Sequence, residues 1–427
     1  NNYFGFSVTG GGDINGDGYR DFIVGAYGVN SNKGKVYIYK NAMKGTDIPD
    51  VAVYGENLSE MGKSVSDAGD LNGDGYDDYI IGASAYGDFA TGRVYIFFGS
   101  VNPDTIPKLI INGFADNSRF GTSVSGAGDV NADGYDDIII GAPEYNSSQG
   151  RVYIYFGGSI MDTIHDIQMT GATSLYRFGH SVSSAGDMNG DGFSDVIVGI
   201  PGTSSSRGSI RIYNGGNPMD STFDQIYTGT VADEQFGHSV SEAGDVNNDG
   251  FSDVIFGAPG YQGYKGVAVI LLGNNIGGFS IRGDNAGDQL GYSVSGAGDI
   301  NGDGYSDVVI GAPYANGAYG KAYINLGSSF PDTSKYLEFS ANYFKFGNSV
   351  SDAGDVNNDG YDDFIICEEQ YLGGAGRAFI YFGGYQPDNI HDINLNYNSQ
   401  YERFGISASS GGDINSDGLD DILIGAF

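Results

Sequence analysis

The stretch that decides the fold reads Gly12-Asp13-Ile14-Asn15-Gly16-Asp17-Gly18-Tyr19-Arg20-Asp21. Counted from Asp13, oxygen-bearing side chains stand at positions 1, 3, 5 and 9, and the carbonyl of Tyr19 at position 7 adds another oxygen. Gly18 at position 6 permits the sharp bend that turns those groups inward. The phrase Gly-Asp-Φ-Asn-x-Asp-Gly-Φ-x-Asp, with Φ apolar or aromatic, recurs with its first Asp at 13, 70, 129, 187, 245, 299, 355 and 413. Eight copies at a near-constant step cover all 427 residues with no linker and no shift in composition. They read as one repeat architecture, a single domain over 1–427.

Each copy has the same order of parts. In the third, Phe120-Gly121-Thr122-Ser123-Val124-Ser125 opens the unit and the Asp-rich phrase follows. Then come Ile138-Ile139-Ile140-Gly141-Ala142-Pro143, a polar Gly-rich loop, Gly150-Arg151-Val152-Tyr153-Ile154-Tyr155, and a weaker run at Ile167-Gln168-Met169-Thr170. These runs are short, β-branched or aromatic, and bounded by Gly, Asn, Asp and Pro, which is strand grammar. No stretch keeps a helical period over ten or more residues. Four short antiparallel strands per repeat make one blade of an all-β propeller, whose closed ring shields sheet edges. A linear solenoid would need polar capping repeats, and both ends here are ordinary repeats cut short. Seven repeats are complete and the eighth stops at Phe427 after two strands. Eight inner hairpins favour eight blades, the last half-built or completed from elsewhere, over seven blades plus a spare hairpin. The latter would leave Ile422, Leu423 and Ile424 without a neighbour.

Composition narrows the function. Fifty-four acids against 20 bases give −34, which repels phosphate backbones and anionic lipid and argues against nucleic-acid or membrane-surface binding. With 40% hydrophobic and 13% aromatic residues, the chain has enough apolar surface for a core, so disorder is rejected. Glycine is 73 of 427 residues without a collagen period, which points to many tight turns. One cysteine, Cys367, excludes an internal disulfide framework and a cysteine-based zinc site. No apolar run approaches the ~18 residues that span a bilayer, so no membrane insertion is expected. The chain opens at Asn1 without a signal peptide, as a processed form or fragment would.

The Asp loops read as calcium loops. Hard oxygen donors at this density suit Ca²⁺, whereas Mg²⁺ wants fewer protein ligands in strict octahedral geometry. An EF-hand would need Glu at position 12 between helices; position 12 is Val24, inside a strand, and no copy has that Glu. Plain turn chemistry explains Asn-Gly-Asp-Gly in one loop. It does not explain eight loops that each gather three carboxylates, whose mutual repulsion is destabilising unless a cation sits among them. These loops hold 24 of the 54 acids, and eight divalent ions at +16 would move the charge from −34 to −18.

Together, the FG pair, the Asp-x-Asn-x-Asp-Gly-x-x-Asp phrase and Gly-Ala-Pro resemble the FG-GAP repeats of the integrin α-subunit β-propeller and its bacterial relatives. The resemblance covers essentially the whole chain. It implies Ca²⁺ loops between the first and second strands of each blade, on the face opposite the usual ligand face. The implied metal ligands are Asp13, Asn15, Asp17, Tyr19 and Asp21 in the first loop, and Asp70, Asn72, Asp74, Tyr76 and Asp78 in the second. They continue as Asp129, Asn131, Asp133, Tyr135 and Asp137, then Asp187, Asn189, Asp191, Phe193 and Asp195. Next come Asp245, Asn247, Asp249, Phe251 and Asp253, then Asp299, Asn301, Asp303, Tyr305 and Asp307. The last two loops supply Asp355, Asn357, Asp359, Tyr361 and Asp363, and Asp413, Asn415, Asp417, Leu419 and Asp421. Position 7 contributes its carbonyl. Met61 and Leu290 replace the Phe of FG; Tyr27, Ser84 and Phe427 replace the Pro of GAP; repeat 4 reads Gly199-Ile200-Pro201; repeat 7 has Cys367-Glu368-Glu369 where GAP should stand. Loops in all eight repeats exceed the subset that animal integrins carry, which points to a microbial surface protein.

Working surfaces are less legible. Tyr27, Tyr86, Tyr145, Tyr261, Tyr314 and Tyr371 fall in the loops between second and third strands, where they either present a ligand face or pack on neighbouring blades. His180 and His238 occupy a slot after FG that elsewhere holds Phe6, Lys63, Thr122, Tyr292, Asn348 and Ile406, a tolerated position. His165 and His391 read as structural and Cys367 as a buried small hydrophobe. Nucleophile-elbow, P-loop and zincin motifs are missing, and adjacent Glu368 and Glu369 in a strand point to opposite faces, so no enzyme is expected. The expected function is a non-catalytic, calcium-stabilised extracellular or cell-surface adhesion or protein-interaction module with up to eight structural Ca²⁺. A carbohydrate-binding lectin and a subunit of a surface layer or filament are the alternatives. The partner would be a protein or glycan on the face opposite the calcium loops, or copies of the chain itself.

Overall fold

The computed structural model describes residues 2–40, 49–103, 105–330, 333, 337–342, 344–396 and 402–426; Phe427, named above at a departure from GAP, lies outside them. In the third repeat, strands Ser123–Gly128, Asp137–Ala142, Arg151–Tyr155 and Ile167–Thr170 pair antiparallel in chain order. Six more repeats form the same four-stranded sheet. The second strands are continuous apolar runs because both of their faces are covered. Ile138 and Ile140 pack with Leu71 and Ile80 of the preceding blade, while Ile139 packs with Val196 and Val198 of the following one. Each of these three isoleucines is fully buried, worth about 1.5–3 kcal/mol apiece. Fourth strands form the outer rim and leave Ile110, Ile226 and Ile393 partly exposed.

First strands pack on one another in order around the ring, and the eighth repeat packs on the first. The reading that leaned to eight blades is corrected to seven four-stranded blades. The eighth repeat contributes a two-stranded sheet, Ala408–Gly412 with Asp421–Ile424, seated between the seventh and first blades. Ser407 closes the ring by donating its hydroxyl to the Gly5 carbonyl at 2.8 Å.

The FG and GAP phrases meet at the seams. Ser123 donates its hydroxyl to the Gly179 carbonyl at 2.9 Å, and Ser7, Ser64, Ser181, Ser239 and Ser293 repeat the bond to Gly62, Gly121, Gly237, Gly291 and Gly347. The glycine of GAP keeps that approach open: a Cβ on Gly141 would lie 2.2 Å from the Gly179 carbonyl oxygen. The seventh seam is built differently. Cys367 stands at the glycine position, and the Asn348 carboxamide bonds the Gly405 carbonyl at 3.1 Å. The second strand there runs on as Asp363–Gln370, with Phe346 opposite Glu368 and Phe344 opposite Gln370.

Candidate metal loops and the opposite face

Each Asp-rich loop joins a first strand to a second strand at one end of its blade. In the first loop, Asp13 at position 1 folds its carboxylate back onto the chain. Its Oδ1 accepts from the amides of Gly16 and Asp17 at 2.7 and 3.1 Å, and its Oδ2 from Gly18 at 2.9 Å. Asp17 at position 5 accepts the Tyr19 amide at 3.1 Å. The same bonds recur around Asp70 and Asp74 and, with small changes, in the other loops. Position 6 is left-handed: Gly134 has φ +90 with nothing near its absent Cβ, so the backbone angle alone requires glycine.

Position 9 is the buried end of the site. Asp137 is fully buried; its Oδ2 accepts the Val130 amide at 2.8 Å and its Oδ1 the Gly157 amide at 2.7 Å, tying the loop to the neighbouring third-to-fourth-strand turn. Burial pushes these carboxyls up, to about 8 at Asp78 and Asp307 and to about 7 at Asp137, Asp195, Asp253 and Asp363. The two amide bonds pull the other way. The carboxylates at positions 1 and 5 push further up, as Asp129 and Asp133 do at Asp137. Asn at position 3 sits among these charges. Asn15 turns its carboxamide N–H to Asp21 at 3.1 and 3.2 Å, and Asn189, Asn247 and Asn301 turn theirs to Asp191, Asp249 and Asp303 at 2.9–3.0 Å.

All forty positions named from the sequence fall in these loops. The donors suit a hard divalent cation in type. They are not drawn into a closed cluster: among the described residues, no three His, Cys, Asp or Glu side chains converge as a metal site. The carboxylates at positions 1 and 5 are instead engaged with loop amides.

Position 8, which the sequence reading passed over, links the loops to one another. The Asp136 amide donates to the Asp70 carbonyl at 3.3 Å while the Asp136 carboxylate accepts the Asp70 amide at 2.9 Å. Asp77, Asp362 and Asp420 repeat both bonds with Asp13, Asp299 and Asp355. Ser194, Ser252 and Ser306 keep the backbone bond. The aromatic at position 7 covers the loop before it, so that a Cβ on Gly73 would strike the Tyr135 ring. The signal was present in the sequence: position 8 is Asp or Ser in seven copies and Arg20 in the first.

The opposite face is made by the second-to-third-strand loops and the segments before each FG. The two are stitched together: the Arg177 amide donates to the Ser148 carbonyl at 2.8 Å and Gln235 to Ser206 at 2.9 Å. The loop tips wind left-handed, as at Asn146 and Ser147 with φ 47 and 60. The six loop tyrosines are half-buried. Tyr86, Tyr145 and Tyr371 lie under the guanidinium groups of Arg93, Arg151 and Arg377 at 3.5–4.2 Å, and Tyr27 stacks on Tyr3. His165 packs edge-on against Tyr153 and Phe114, His391 against Phe379. Cys367 is fully buried. Glu368 pairs with Arg377 and Glu369 with Lys345 at 2.6 Å, on opposite faces of the strand, so the one break in the repeat is occupied by ion pairs.

The FG-GAP repeat family matches residues 4–39, 64–97, 120–155 and 290–324, and the FG-GAP-like repeat matches 187–256. The chain is an FG-GAP-repeat β-propeller. This propeller is 35% identical over 229 residues to integrin alpha-5 of Xenopus laevis, covering 50% of the chain and 21% of that protein. It is 32% identical over 250 residues to integrin alpha-4 of the same species, covering 55% and 23%, and 28% identical over 307 residues to integrin alpha-V of Gallus gallus, covering 64% and 29%. The chain thus spans less than a third of these relatives. Among solved structures it resembles Sqt1 of Chaetomium thermophilum, with a TM-score of 0.52 at 13% identity over 81% of this chain and 73% of that one. That likeness is one of fold alone. No helix among the described residues is long and apolar enough to cross a membrane.

Proposed function

We propose that residues 1–427 form one calcium-stabilised, non-catalytic propeller that serves as an extracellular adhesion or protein-interaction module. The observation that carries this reading is the buried carboxylate at position 9. It faces two further carboxylates and no cationic side chain is among the largest influences on it at Asp78, Asp137, Asp195, Asp253, Asp307 or Asp363. Ca²⁺ bound in each of the eight loops would neutralise that charge and stabilise the folded state by mass action. The residues that would hold it are the Asp, Asn, Asp and Asp at positions 1, 3, 5 and 9, with the position 7 carbonyl. The loop bonds already hold position 9 in place, so binding would need positions 1 and 5 to trade amide partners.

Similarity to integrin alpha chains supports an interaction role on the cell exterior, where calcium is abundant enough to fill sites of ~10⁻⁴–10⁻³ M affinity. A partner would meet the face opposite the metal loops, where repeats differ most. The test is thermal melting of the calcium-loaded protein with and without EDTA. A fall of more than ~10 °C is expected; a shift of only a few degrees overturns the calcium reading.

A further inference from the structure

We propose that a cavity on the face opposite the metal loops, where repeats 3, 4 and 5 meet, binds an acidic saccharide of one or two rings carrying one carboxylate. The cavity measures about 490 Å³, within the range of small-molecule sites and far larger than a lone ion requires. Its lining holds one guanidinium, Arg177, whose partner carboxylate, Glu144, lies outside the lining. In a chain of net charge −34 the half of Arg177 left exposed beyond that pair gives an anion a cationic contact.

The rest of the lining is uncharged and rich in hydrogen-bonding groups. Ser148, Ser205 and Ser206 supply hydroxyls, Gln235 a carboxamide, and His180 and His238 two imidazoles whose rings lie 5.7 Å apart. Each of these groups except the hydrogen-saturated end of the carboxamide can both give and take hydrogen bonds or choose between them, which suits vicinal hydroxyls that do the same. The coincidence is specific to this seam. At the backbone position of Ser148 and Ser206, repeats 1, 2, 5 and 7 have Asn32, Ala90, Tyr264 and Gly374. The slot after FG is histidine only in repeats 4 and 5. Hydroxyl-rich loops and imidazoles therefore fall side by side, once in the ring.

The walls are built before any ligand arrives. Arg177 and Gln235 are pinned by the amide bonds to Ser148 and Ser206, and Glu144 at the rim orients Arg177 at 3.0 Å while also taking the Ser148 hydroxyl. Half of the Arg177 side chain remains exposed to receive a carboxylate in its planar fork. The acidic surface as a whole repels a densely charged polyanion, so a sugar with a single carboxylate fits better than a sulfated chain.

This inference goes beyond the calcium-module reading and does not depend on it. The test is calorimetry and saturation-transfer NMR on the full 427-residue chain in calcium, with sodium glucuronate, glucose, acetate and the tripeptide Gly-Glu-Gly as probes. Glucuronate should bind, with glucose and acetate at least tenfold weaker. Arg177→Gln should weaken glucuronate at least tenfold, Ser205→Ala with Ser206→Ala severalfold, and Arg119→Gln, the matching arginine one repeat earlier, not at all. Absence of glucuronate binding, indifference to Arg177→Gln, or equal binding of the tripeptide would overturn the proposal. Melting in EDTA, measured on the same variants, reports on the metal loops separately, so failure of one reading is not failure of the other.

Discussion

The two ends of this propeller grow from the same repeat and have been held to different standards. At the metal-loop end, each loop must fit its own carboxylates, the turn between third and fourth strands, and the loops on either side. A change at position 1 or 9 reaches beyond its own loop, a change at position 6 is felt by the loop backbone, and all eight copies keep those residues. At the other end, each second-to-third-strand loop is stitched to the segment before the next FG chiefly by main-chain bonds that any side chain permits. There the sequence drifts from Asn146-Ser147-Ser148 to Leu372-Gly373-Gly374 with the backbone nearly unchanged. Uniformity thus follows the number of side-chain constraints, and the variable end is where individual recognition can be built.

Substitutions can break this contrast. The largest effect is expected at Asp137→Ala, which strands the amides of Val130 and Gly157 in a buried setting. Chemical denaturation should show a loss of about 2–5 kcal/mol, while Tyr145→Ala at the other end should cost less than ~1 kcal/mol. Equal losses would dissolve the distinction. Next is Gly134→Ala, where the cost is pure backbone at φ +90, about 1–2 kcal/mol. Asn146→Gly, at a left-handed position that asparagine tolerates, should change the denaturation midpoint little.

Acidification tests the opposite face through a single imidazole. Burial holds His180 neutral down to about 4, and the neighbouring His238 imidazole and Arg177 add to that. The unfolded chain protonates the same group near 6.5, so stability is present above 6.5 and lost as pH falls toward 4. The buried position-9 carboxyls act in the reverse sense over an overlapping window, from 3.8 up to about 7 or 8, so the informative quantity is the difference between parent and His180→Asn. Roughly 1–2 kcal/mol of acid sensitivity should vanish in the variant, allowing for solvent screening at the cavity; an unchanged pH profile would mean that His180 is solvated. A modest effect belongs to the seams. Ser123→Ala should cost about 0.5–1.5 kcal/mol, and Asn348→Ala a similar amount if the seventh seam has rebuilt the same clasp with a different donor.

Much of this molecule was legible because the repeat is long and its constraints are local. The strand order, the loop positions and the roles of His165, His391 and Cys367 could be read from spacing and residue type. The opposed faces of Glu368 and Glu369 follow from the two-residue strand period, and the ion pairs that occupy them match it. What was missed involves neighbours one repeat away. Nothing within a single copy says that the Asp or Ser at position 8 serves the preceding loop. The loop tyrosines read from the sequence as either a ligand face or packing, and the structure places guanidinium groups over three of them. The blade count was misjudged for a related reason: eight hairpins are visible in the sequence, but whether the last one builds a blade depends on strands it must pair with.

The sequence by itself determined the all-β repeat, the four-strand order and the identity of the Asp loops, because hydrophobic period, turn residues and loop spacing act over a few residues. Only the tertiary structure decided that seven sheets are complete with a hairpin between the last and the first, that the loops are chained around one face, and that Arg177, the repeat 3 and 4 hydroxyls and two imidazoles share a cavity. Those facts rest on contacts between residues some 30 to 400 positions apart, and such contacts follow from the curvature that closes the ring.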